Sequence, residues 1–335
     1  MVYIMFTMFA CNKSNLSDFS TTHPHVPTGE NITLLPPALP QALTAIYFTS
    51  DQTGFVAGAT GGIYKTTDGG NNWQTLNSPV TLPIYGLFFV SQSTGFAVGG
   101  DDSCTGTGCT IDGGFILRTT DGGQNWAKVY TPANKIELNS VYFVNSSVGF
   151  CIGNNVIFKT TNGGNSWTEQ AIDNLGGKMM QVKFADQNKG YIACLFDKIV
   201  QTNDGGKTWT VTSPQTDKGY YSVAAAEGAT YVSGQGKIIK STNNGSSWNI
   251  LTNAPADIYA LYFKDAQDGI AFGTGEYSGG DFGYSYAAIY TTSDGGSTWA
   301  GSSAVKDYRP IYNVSFPGGN TGFGLNMNRV IKISY

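Results

Sequence analysis

The octet TTDGGNNW (residues 66–73) places a carboxylate beside two glycines and a tryptophan, a combination that could carry chemistry. Asp68 could act as a general base or a metal ligand, and the glycines could open backbone N–H groups to a phosphate. An active site needs one such constellation, however, whereas a repeated fold needs one turn many times. The octet recurs as TTDGGQNW (119–126), TTNGGNSW (160–167), TNDGGKTW (202–209), STNNGSSW (241–248) and TSDGGSTW (292–299). We therefore interpret it as architecture.

The composition of the octet is that of a β-turn. The oxygen of its third residue can accept from backbone N–H groups, glycine supplies a positive φ, and tryptophan anchors the next strand. Asn162 and Asn243 replace aspartate in two copies, which a turn-capping role tolerates and a general base does not. The predicted structural residues are Asp68, Trp73, Asp121, Trp126, Asn162, Trp167, Asp204, Trp209, Asn243, Trp248, Asp294 and Trp299.

The spacing of the octets indicates a β-propeller. The six tryptophans are 39 to 53 residues apart, about one four-stranded blade per repeat. Short β-rich segments precede each octet, beginning with an inner strand of the type LTAIYF (43–48), and seven such inner strands are present. The last repeat ends at RVIKISY (329–335) without an octet, so NITLLP (31–36) is predicted to complete its blade and close the ring. We predict an all-β, seven-bladed propeller; six blades with a ragged end is the alternative.

Charge and composition exclude several classes of function. The 335 residues carry a net charge of −4 and only three arginines, whereas a nucleic-acid binder needs a concentrated basic surface. Both histidines, His23 and His25, precede the first predicted strand, which argues against histidine acid–base chemistry or metal ligation in the propeller. We expect no nucleic acid, cofactor or metal, and a monomer.

The N-terminal segment MVYIMFTMFAC predicts export. Its apolar run is too short to span a membrane and resembles the hydrophobic region of a secretory signal. Ala10 before Cys11 resembles a bacterial lipobox, in which the cysteine is lipidated; a plain cleaved signal with an incidental cysteine is the alternative. We expect a signal peptide at 1–10, a flexible tether at 11–29 starting with lipidated Cys11, and a propeller at 30–335. The predicted location is the bacterial cell envelope, with membrane contact through the lipid only.

Two insertions interrupt the repeat between second and third strands, at residues 100–114 and 274–286. Loops on a rigid scaffold are frequent binding elements. In the first insertion, Cys104 and Cys109 are predicted to form a disulfide, with a zinc half-site as the alternative. Its Asp101, Asp102 and Asp112 suit either Ca²⁺ or plain solvation. The second insertion concentrates aromatic side chains suited to sugars or protein surfaces, or to packing on the propeller: Tyr277, Phe282, Tyr284 and Tyr286.

The second position of the inner strands is tyrosine in four of seven repeats: Tyr85, Tyr221, Tyr259 and Tyr312. These tyrosines lie at the start of their strands, on the face predicted to carry the insertions. They either pack with their hydroxyls in water or form an aromatic collar around the channel mouth.

The segment GGIYKTTDGGNNW (61–73) resembles the repeat of photosystem II stability/assembly-factor-like propellers, and its octet resembles the Asp-box of BNR repeats. The resemblance implies that the octets form turns between third and fourth strands, opposite the usual binding face, and that the protein is a non-enzymatic scaffold. We expect it to bind a protein or glycan on the face bearing the insertions. The alternative is a glycan-active enzyme, either a glycoside hydrolase with an acid pair such as Glu276 and Asp281 or a sialidase, which requires an arginine triad.

Overall fold

The structure, a computed structural model, describes residues 31–101, 113–275, 286–303 and 309–334. These residues form seven antiparallel four-stranded sheets arranged as the blades of a propeller. No helix long and apolar enough to cross a membrane occurs within the described ranges. The prediction of a seven-bladed all-β propeller is confirmed.

The blades follow one another along the chain, each running from its innermost to its outermost strand. Blade 1 contains β2 (Leu43–Phe48), β3 (Gly54–Gly58), β4 (Ile63–Thr66) and β5 (Gln74–Leu76). Blade 2 contains β6 (Ile84–Phe89), β7 (Gly95–Asp101), β8 (Gly113–Thr119) and β9 (Ala127–Tyr130). Blade 3 contains β10 (Ser140–Phe143), β11 (Gly149–Gly153), β12 (Val156–Thr160) and β13 (Thr168–Ala171). Blade 4 contains β14 (Met179–Phe184), β15 (Gly190–Cys194), β16 (Lys198–Thr202) and β17 (Thr210–Thr212).

The remaining blades repeat this order until the ring closes. Blade 5 contains β18 (Tyr220–Ala226), β19 (Ala229–Gly234), β20 (Lys237–Ser241) and β21 (Asn249–Ile250). Blade 6 contains β22 (Ile258–Phe263), β23 (Gly269–Gly275), β24 (Tyr286–Thr292) and β25 (Ala300–Ser303). Blade 7 contains β26 (Val314–Ser315), β27 (Thr321–Asn326), β28 (Arg329–Ser334) and, from the other end of the chain, β1 (Asn31–Leu34).

Blade 7 closes the ring with strands from both ends of the chain, as predicted. β1 pairs antiparallel with β28, with Asn31 opposite Ser334 and Leu34 opposite Ile331. Ile32 and Leu34 pack against the core shared by blades 6 and 7. The first strands of neighbouring blades contact each other all round the ring, so they line its axis.

The inner strands of blades 3 and 7 are shorter than the sequence predicts. LNSVYF becomes a strand only at Ser140, and IYNVSF only over Val314–Ser315. In the five other blades the register shifts between the first and third positions, which is a β-bulge at the second position. We attribute the shorter inner strands of blades 3 and 7 to a larger disruption of the ladder at the same end of the strand.

A phenylalanine–glycine pair fixes the inner hairpin of six blades. In blade 1, Phe48 at the end of the inner strand lies opposite Gly54, and a Cβ added to that glycine would lie 2.5 Å from the phenylalanine ring. The ring therefore requires glycine beneath it. In blade 5 both residues of the pair are replaced: Ala225 stands in the phenylalanine position and lies opposite Thr230 in the glycine position.

The octets form the turns between third and fourth strands. In the first copy, Asp68 Oδ1 accepts hydrogen bonds from Thr66 Oγ1 (2.8 Å) and from the Asn72 N–H (2.9 Å), and the Gly70 N–H donates to Thr66 Oγ1 (2.9 Å). Gly69 and Gly70 have φ values of 70° and 90°. These hydrogen bonds hold the pKa of Asp68 at about 2, with those from Asn72 as the largest cause.

The octet tryptophans pack edge-on against aromatic rings of their own blade or its neighbour. Trp73 meets Phe48 at a centroid distance of 6.2 Å and an angle of 89°, and Trp126 meets Phe89 at 5.9 Å and 88°. Such T-shaped pairs add to the stabilisation from buried area. The octets thus join the turns to the core.

Polar side chains at the third position of the inner strands join neighbouring blades. Gln181 Oε1 accepts from the Val223 N–H at 2.8 Å, and Ser222 Oγ accepts from the Leu261 N–H at 3.2 Å. Ser140 Oγ accepts from the Val182 N–H in the same way at 3.3 Å. These bonds satisfy backbone donors beside the axis that the ladders leave unpaired.

Candidate functional site

The antiparallel strand order gives the propeller two distinct faces. The loop face, as we name it, carries the starts of the inner strands and the connections from second to third strands. These connections include residues 102–112 and 276–285, so the insertions have the predicted position in the blades. The turn face carries the octets. The bulge at the second position turns Tyr85, Tyr221 and Tyr259 out of the ladder at the loop face, and Tyr312 precedes the short strand β26.

Three of the four predicted tyrosines form one cluster. Tyr221, Tyr259 and Tyr312 come from blades 5, 6 and 7. The Tyr221 and Tyr259 rings stack with centroids 5.4 Å apart, and the Tyr259 and Tyr312 rings meet at 4.6 Å. Tyr312 is 51% exposed, while the other two are half-buried. We call these three residues the tyrosine cluster.

The surroundings of the cluster keep its hydroxyls neutral at physiological pH. Burial, with smaller effects from Tyr312 and Asp257, raises the pKa of Tyr259 to about 12. Burial also raises the pKa of Tyr221 and of Tyr312, the latter against the opposing charge of Arg309. The Asp257 carboxylate accepts from the Gly236 N–H at 3.0 Å, which ties the start of blade 6 to blade 5. The cluster can therefore offer apolar rings and neutral hydroxyl donors.

The fourth tyrosine, Tyr85, lies in blade 2. Blade 1 separates it from Tyr312 along the ring. On either side, the second-position side chains bind neighbouring backbone: Thr44 Oγ1 donates to the Ile84 carbonyl at 2.5 Å, and Asn139 Nδ2 to the Met179 carbonyl at 2.9 Å. The channel mouth is therefore aromatic over blades 5 to 7 and largely committed to backbone contacts over blades 1 to 3.

Two exposed apolar residues on the loop face were not predicted. Phe196 is 67% exposed and Met327 is 56% exposed, and they lie at the tips of the second hairpins of blades 4 and 7. Their φ values are 59° and 55°, in the left-handed region that bulky residues avoid. Blades 3 and 5 have Asn154 and Gly236 with positive φ in the equivalent turns, residues that adopt it readily. The sequence signal is a bulky residue in a turn of two residues (blade 7) or three residues (blade 4), at a position where blades 3 and 5 have Asn or Gly.

The turn that presents Phe196 is held by the next residue, Asp197. Its carboxylate accepts from Ser213 Oγ (2.6 Å), Thr216 Oγ1 (2.7 Å) and the Tyr220 hydroxyl (3.1 Å). Burial opposes ionisation of Asp197, but these hydrogen bonds together hold its pKa below the usual range. Strained backbone persists where the surroundings over-determine it, and such positions concentrate at functional sites.

Several predicted site residues lie outside the described residues. These are Cys11, Cys104, Cys109, Asp102, Asp112, Tyr277, Phe282 and Tyr284, together with Glu276 and Asp281. Tyr286 begins β24, and only its backbone is described. The disulfide and the aromatic loop therefore stay predictions.

Chemistry-bearing side chains elsewhere in the described residues are dispersed. Cys151 and Cys194 are buried free thiols of the core, and burial raises the pKa of Cys194 to about 12. Within the described ranges, no three His, Cys, Asp or Glu side chains are grouped to hold a metal ion. Arg118 donates to Asn165 at 2.5 Å in an octet on the turn face, whereas Arg309 lies on the loop face. The arginines therefore do not converge as a sialidase triad requires.

A cavity of about 330 Å³ opens on the turn face, away from the tyrosine cluster. It lies beside the first turn of blade 5 and is lined by Ala225, Thr230, Phe184 and Phe263, with charged residues at its rim. The missing phenylalanine ring at Ala225 accounts for part of this space. Its mixed lining selects no ligand class, so we place the candidate site at the tyrosine cluster.

The comparisons with known proteins agree with the fold. Residues 172–307, which span blades 4 to 6, match the model of the family described as photosynthesis system II assembly factor YCF48. This match confirms the resemblance read from the octets. No curated protein matches the sequence.

Solved structures resemble the whole propeller. YCF48 bound to a D1 peptide is 18% identical with a TM-score of 0.70, over 93% of this chain and 99% of that one. YCF48 from Cyanidioschyzon merolae is also 18% identical with a TM-score of 0.70, over 90% and 98% of the two chains. The GH74 enzyme of Niastella koreensis is 18% identical with a TM-score of 0.69, over 90% of this chain but 53% of its own. At this identity the structures establish a shared fold.

Proposed function

We propose that this protein is a non-enzymatic scaffold that binds a protein partner through the tyrosine cluster on its loop face. The observation that carries the proposal is the contact of Tyr221, Tyr259 and Tyr312 across three blades, with Tyr312 half-exposed. Tyrosine is enriched at interface hot spots because a large ring with a hydroxyl is ordered at low entropic cost.

The exposed apolar residues of the same face support a protein ligand. Phe196 and Met327 are displayed by turns that the fold holds in an unfavourable conformation, and phenylalanine and methionine are enriched at protein interfaces. The similarity to YCF48 bound to a D1 peptide favours the same kind of partner, a protein segment. The turn face offers less, because the side chains of its octets are engaged in their own turns.

We further propose that the propeller is displayed from the cell envelope. The apolar segment 1–10 followed by Cys11 supports lipid anchoring, and residues 12–29 would serve as the tether. An anchored propeller would act near membranes, where a scaffold for membrane-associated proteins is useful.

Photo-crosslinking from defined positions tests the proposed face. A photoreactive phenylalanine analogue is placed at Tyr312 of the full chain and, as a control, at Val129, an exposed apolar residue of the outermost strand β9. Irradiation in cells should give a protein adduct from position 312 and not from position 129, with the partner identified by mass spectrometry. Equal adducts from both positions, or none from position 312, would contradict the proposal.

Binding measurements with the purified partner then test the cluster itself. Tyr221→Ala and Tyr312→Ala should each weaken binding roughly 30-fold, the effect of about 2 kcal/mol at a hot spot. Val129→Ala serves as the matched control and should bind normally. The melting temperature of each variant shows whether it is folded. Folded tyrosine variants with unchanged affinity would place the site elsewhere, and specific binding on a glycan array without any protein partner would favour a glycan ligand.

A further inference from the structure

Lys183 is the only charged residue among the seven innermost strands of the described structure. It occupies the fifth position of β14, toward the turn-face end of the axis. Other blades place aromatic rings at this level: Tyr47, Phe88, Tyr142 and Tyr262. The two remaining residues at this level are Ala224 and Ser315, so no inner strand supplies a carboxylate.

The aromatic rings on one side of Lys183 form a continuous wall. Tyr47 and Phe88 are 5.2 Å apart between centroids, as are Phe88 and Tyr142. The Lys183 Nζ atom lies 5.4 Å from the centroid of the Tyr142 ring. The hydroxyls of this wall donate to backbone: Tyr47 donates to the Phe89 carbonyl at 3.1 Å and Tyr142 to the Phe184 carbonyl at 3.3 Å.

The Lys183 ammonium is uncompensated by the rest of the described chain. The ion pairs of the described residues are Lys178–Glu137 and Lys189–Asp186, and neither includes Lys183. Its recorded contact is the face of Tyr142, an interaction that uses one side of the ammonium and leaves other N–H donors available. Burial lowers the pKa of Lys183, the effect expected of a cation removed from water without a counter-charge.

The next inner strand places a small residue at the level of this cation. The Lys183 side chain keeps partial contact with solvent, even though burial lowers its pKa. In the adjacent inner strand the equivalent residue is Ala224, which lacks the ring present in blades 1, 2, 3 and 6. A cation beside low-dielectric aromatic walls attracts anions more strongly than one in open water.

We propose that Lys183 forms an anion-binding site in the axis of the propeller, which takes a small monoanion, either a halide or a carboxylate. The aromatic wall would hold the site in shape, and the ammonium would supply both the charge and the hydrogen-bond donors. The site is independent of the tyrosine cluster, which lies at the other end of the inner strands.

Anomalous diffraction tests the site directly. Crystals of the full-chain protein are soaked in sodium bromide. We expect a bromide peak within hydrogen-bonding range of Lys183 Nζ, lost in Lys183→Met and retained in Lys183→Arg. A parallel soak in bromide with excess acetate distinguishes a carboxylate site, because acetate that binds the ammonium should displace the bromide peak. If neither soak places an anion at Nζ, the proposal is wrong.

Thermal unfolding gives a second readout in solution. Bromide and acetate are titrated at constant ionic strength with sulfate, which is not a monoanion, as the balancing salt. At ten times the dissociation constant, an anion that binds only the folded state should raise the ratio of folded to unfolded protein about elevenfold. This saturable effect should vanish in Lys183→Met and persist in Lys128→Met, an exposed lysine of β9 that serves as control. The same response in both variants would overturn the site. If Lys183→Met does not fold, the crystals of the unaltered protein still decide.

Discussion

The Nζ atom of Lys65 donates a hydrogen bond to the carbonyl oxygen of Gly122 at 2.8 Å, which joins the third strand of blade 1 to the octet of blade 2. The same ammonium lies 5.4 Å from the centroid of the Phe55 ring. Lys159 and Lys240 repeat the bond, to Gly205 at 2.8 Å and to Gly295 at 2.9 Å. The basic residue before the octet is therefore a clamp between adjacent blades.

We predict that Lys65→Met lowers the free energy of unfolding by about 1 kcal/mol, because a charge-assisted hydrogen bond is lost while the aliphatic stem is kept. Urea denaturation of the full chain measures the change. Lys128→Met, an exposed lysine of β9, is the control and should behave as the parent. Equal stability of all three proteins would show that the clamp is incidental.

The octet aspartates should make stability depend on acid. The pKa of Asp68 is held at about 2, mainly by hydrogen bonds from Asn72, and those of Asp121 and Asp294 are held at about 2 in the same way. In the unfolded chain the pKa of each of these aspartates is about 3.9. Their contribution is therefore complete above about pH 4 and is lost as the pH falls toward about 2.

Asp68→Asn should lose some stability at pH 7, because its Nδ2 would face the Asn72 Nδ2 donor from which Asp68 Oδ2 now accepts, whereas Asn162 Nδ2 donates to Ser166 Oγ in its own octet. It should also lose less stability than the parent between pH 4 and pH 2. Asp68→Ala should be less stable than Asp68→Asn at pH 7. Urea midpoints across this pH range measure both effects, with Asp173→Asn, an exposed aspartate between blades 3 and 4, as control. An unchanged acid profile in Asp68→Asn would refute the assignment.

In blade 5, Ala225 and Thr230 replace the phenylalanine–glycine pair, and we expect their effects on stability to be coupled. Ala225→Phe alone places a ring over Thr230, and Thr230→Gly alone leaves a gap under a small residue, so each should destabilise the protein. The double variant restores the pair used by the other six blades and should recover about 1 kcal/mol or more relative to additivity. A double-mutant cycle by urea denaturation measures the coupling. Strict additivity would mean that blade 5 tolerates the pair for other reasons.

The proposed lipid anchor depends on Cys11. We predict that Cys11→Ala moves the protein from the membrane fraction to the soluble fraction and abolishes incorporation of labelled fatty acid. Cys151→Ala, which alters a buried core thiol, is the matched control and should stay in the membrane fraction if folded. Continued membrane association of Cys11→Ala would eliminate the proposed anchor.

The repeat made most of the fold predictable from the sequence. Inner strands such as β2 and β22 match the predicted segments at both ends, because each apolar core pattern is followed by a short polar turn segment. The closing strand β1 was predictable because one repeat lacked a fourth strand. The shortening over IYNVSF was not, since a local pattern carries no information on how far a bulge disrupts pairing.

The candidate site was less predictable. The alignment of repeats identified the second-position tyrosines, but which of them meet depends on blade order around the ring. The order of the blades places Tyr85 apart from the other three tyrosines. The exposure of Phe196 was not predicted, because exposure and positive φ are properties of the folded turn. In the sequence, an isolated phenylalanine between strands has the pattern of a core residue. Lys183 was not predicted because its contact with the Tyr142 ring joins two blades that are separate in sequence.

Because Asn31 pairs with Ser334, strand β1 finds its partner only when β28 has formed. Six blades are contiguous in sequence and can each form from one local segment, while β1 stays unpaired until β28 is in place. During that interval the ring is open and β1 is an unpaired edge. A chain folded only through blade 6 would therefore expose a strand whose complement is β28. Its β1 could pair with the β28 of another copy, so slow completion of the last blade should favour oligomers that exchange β1.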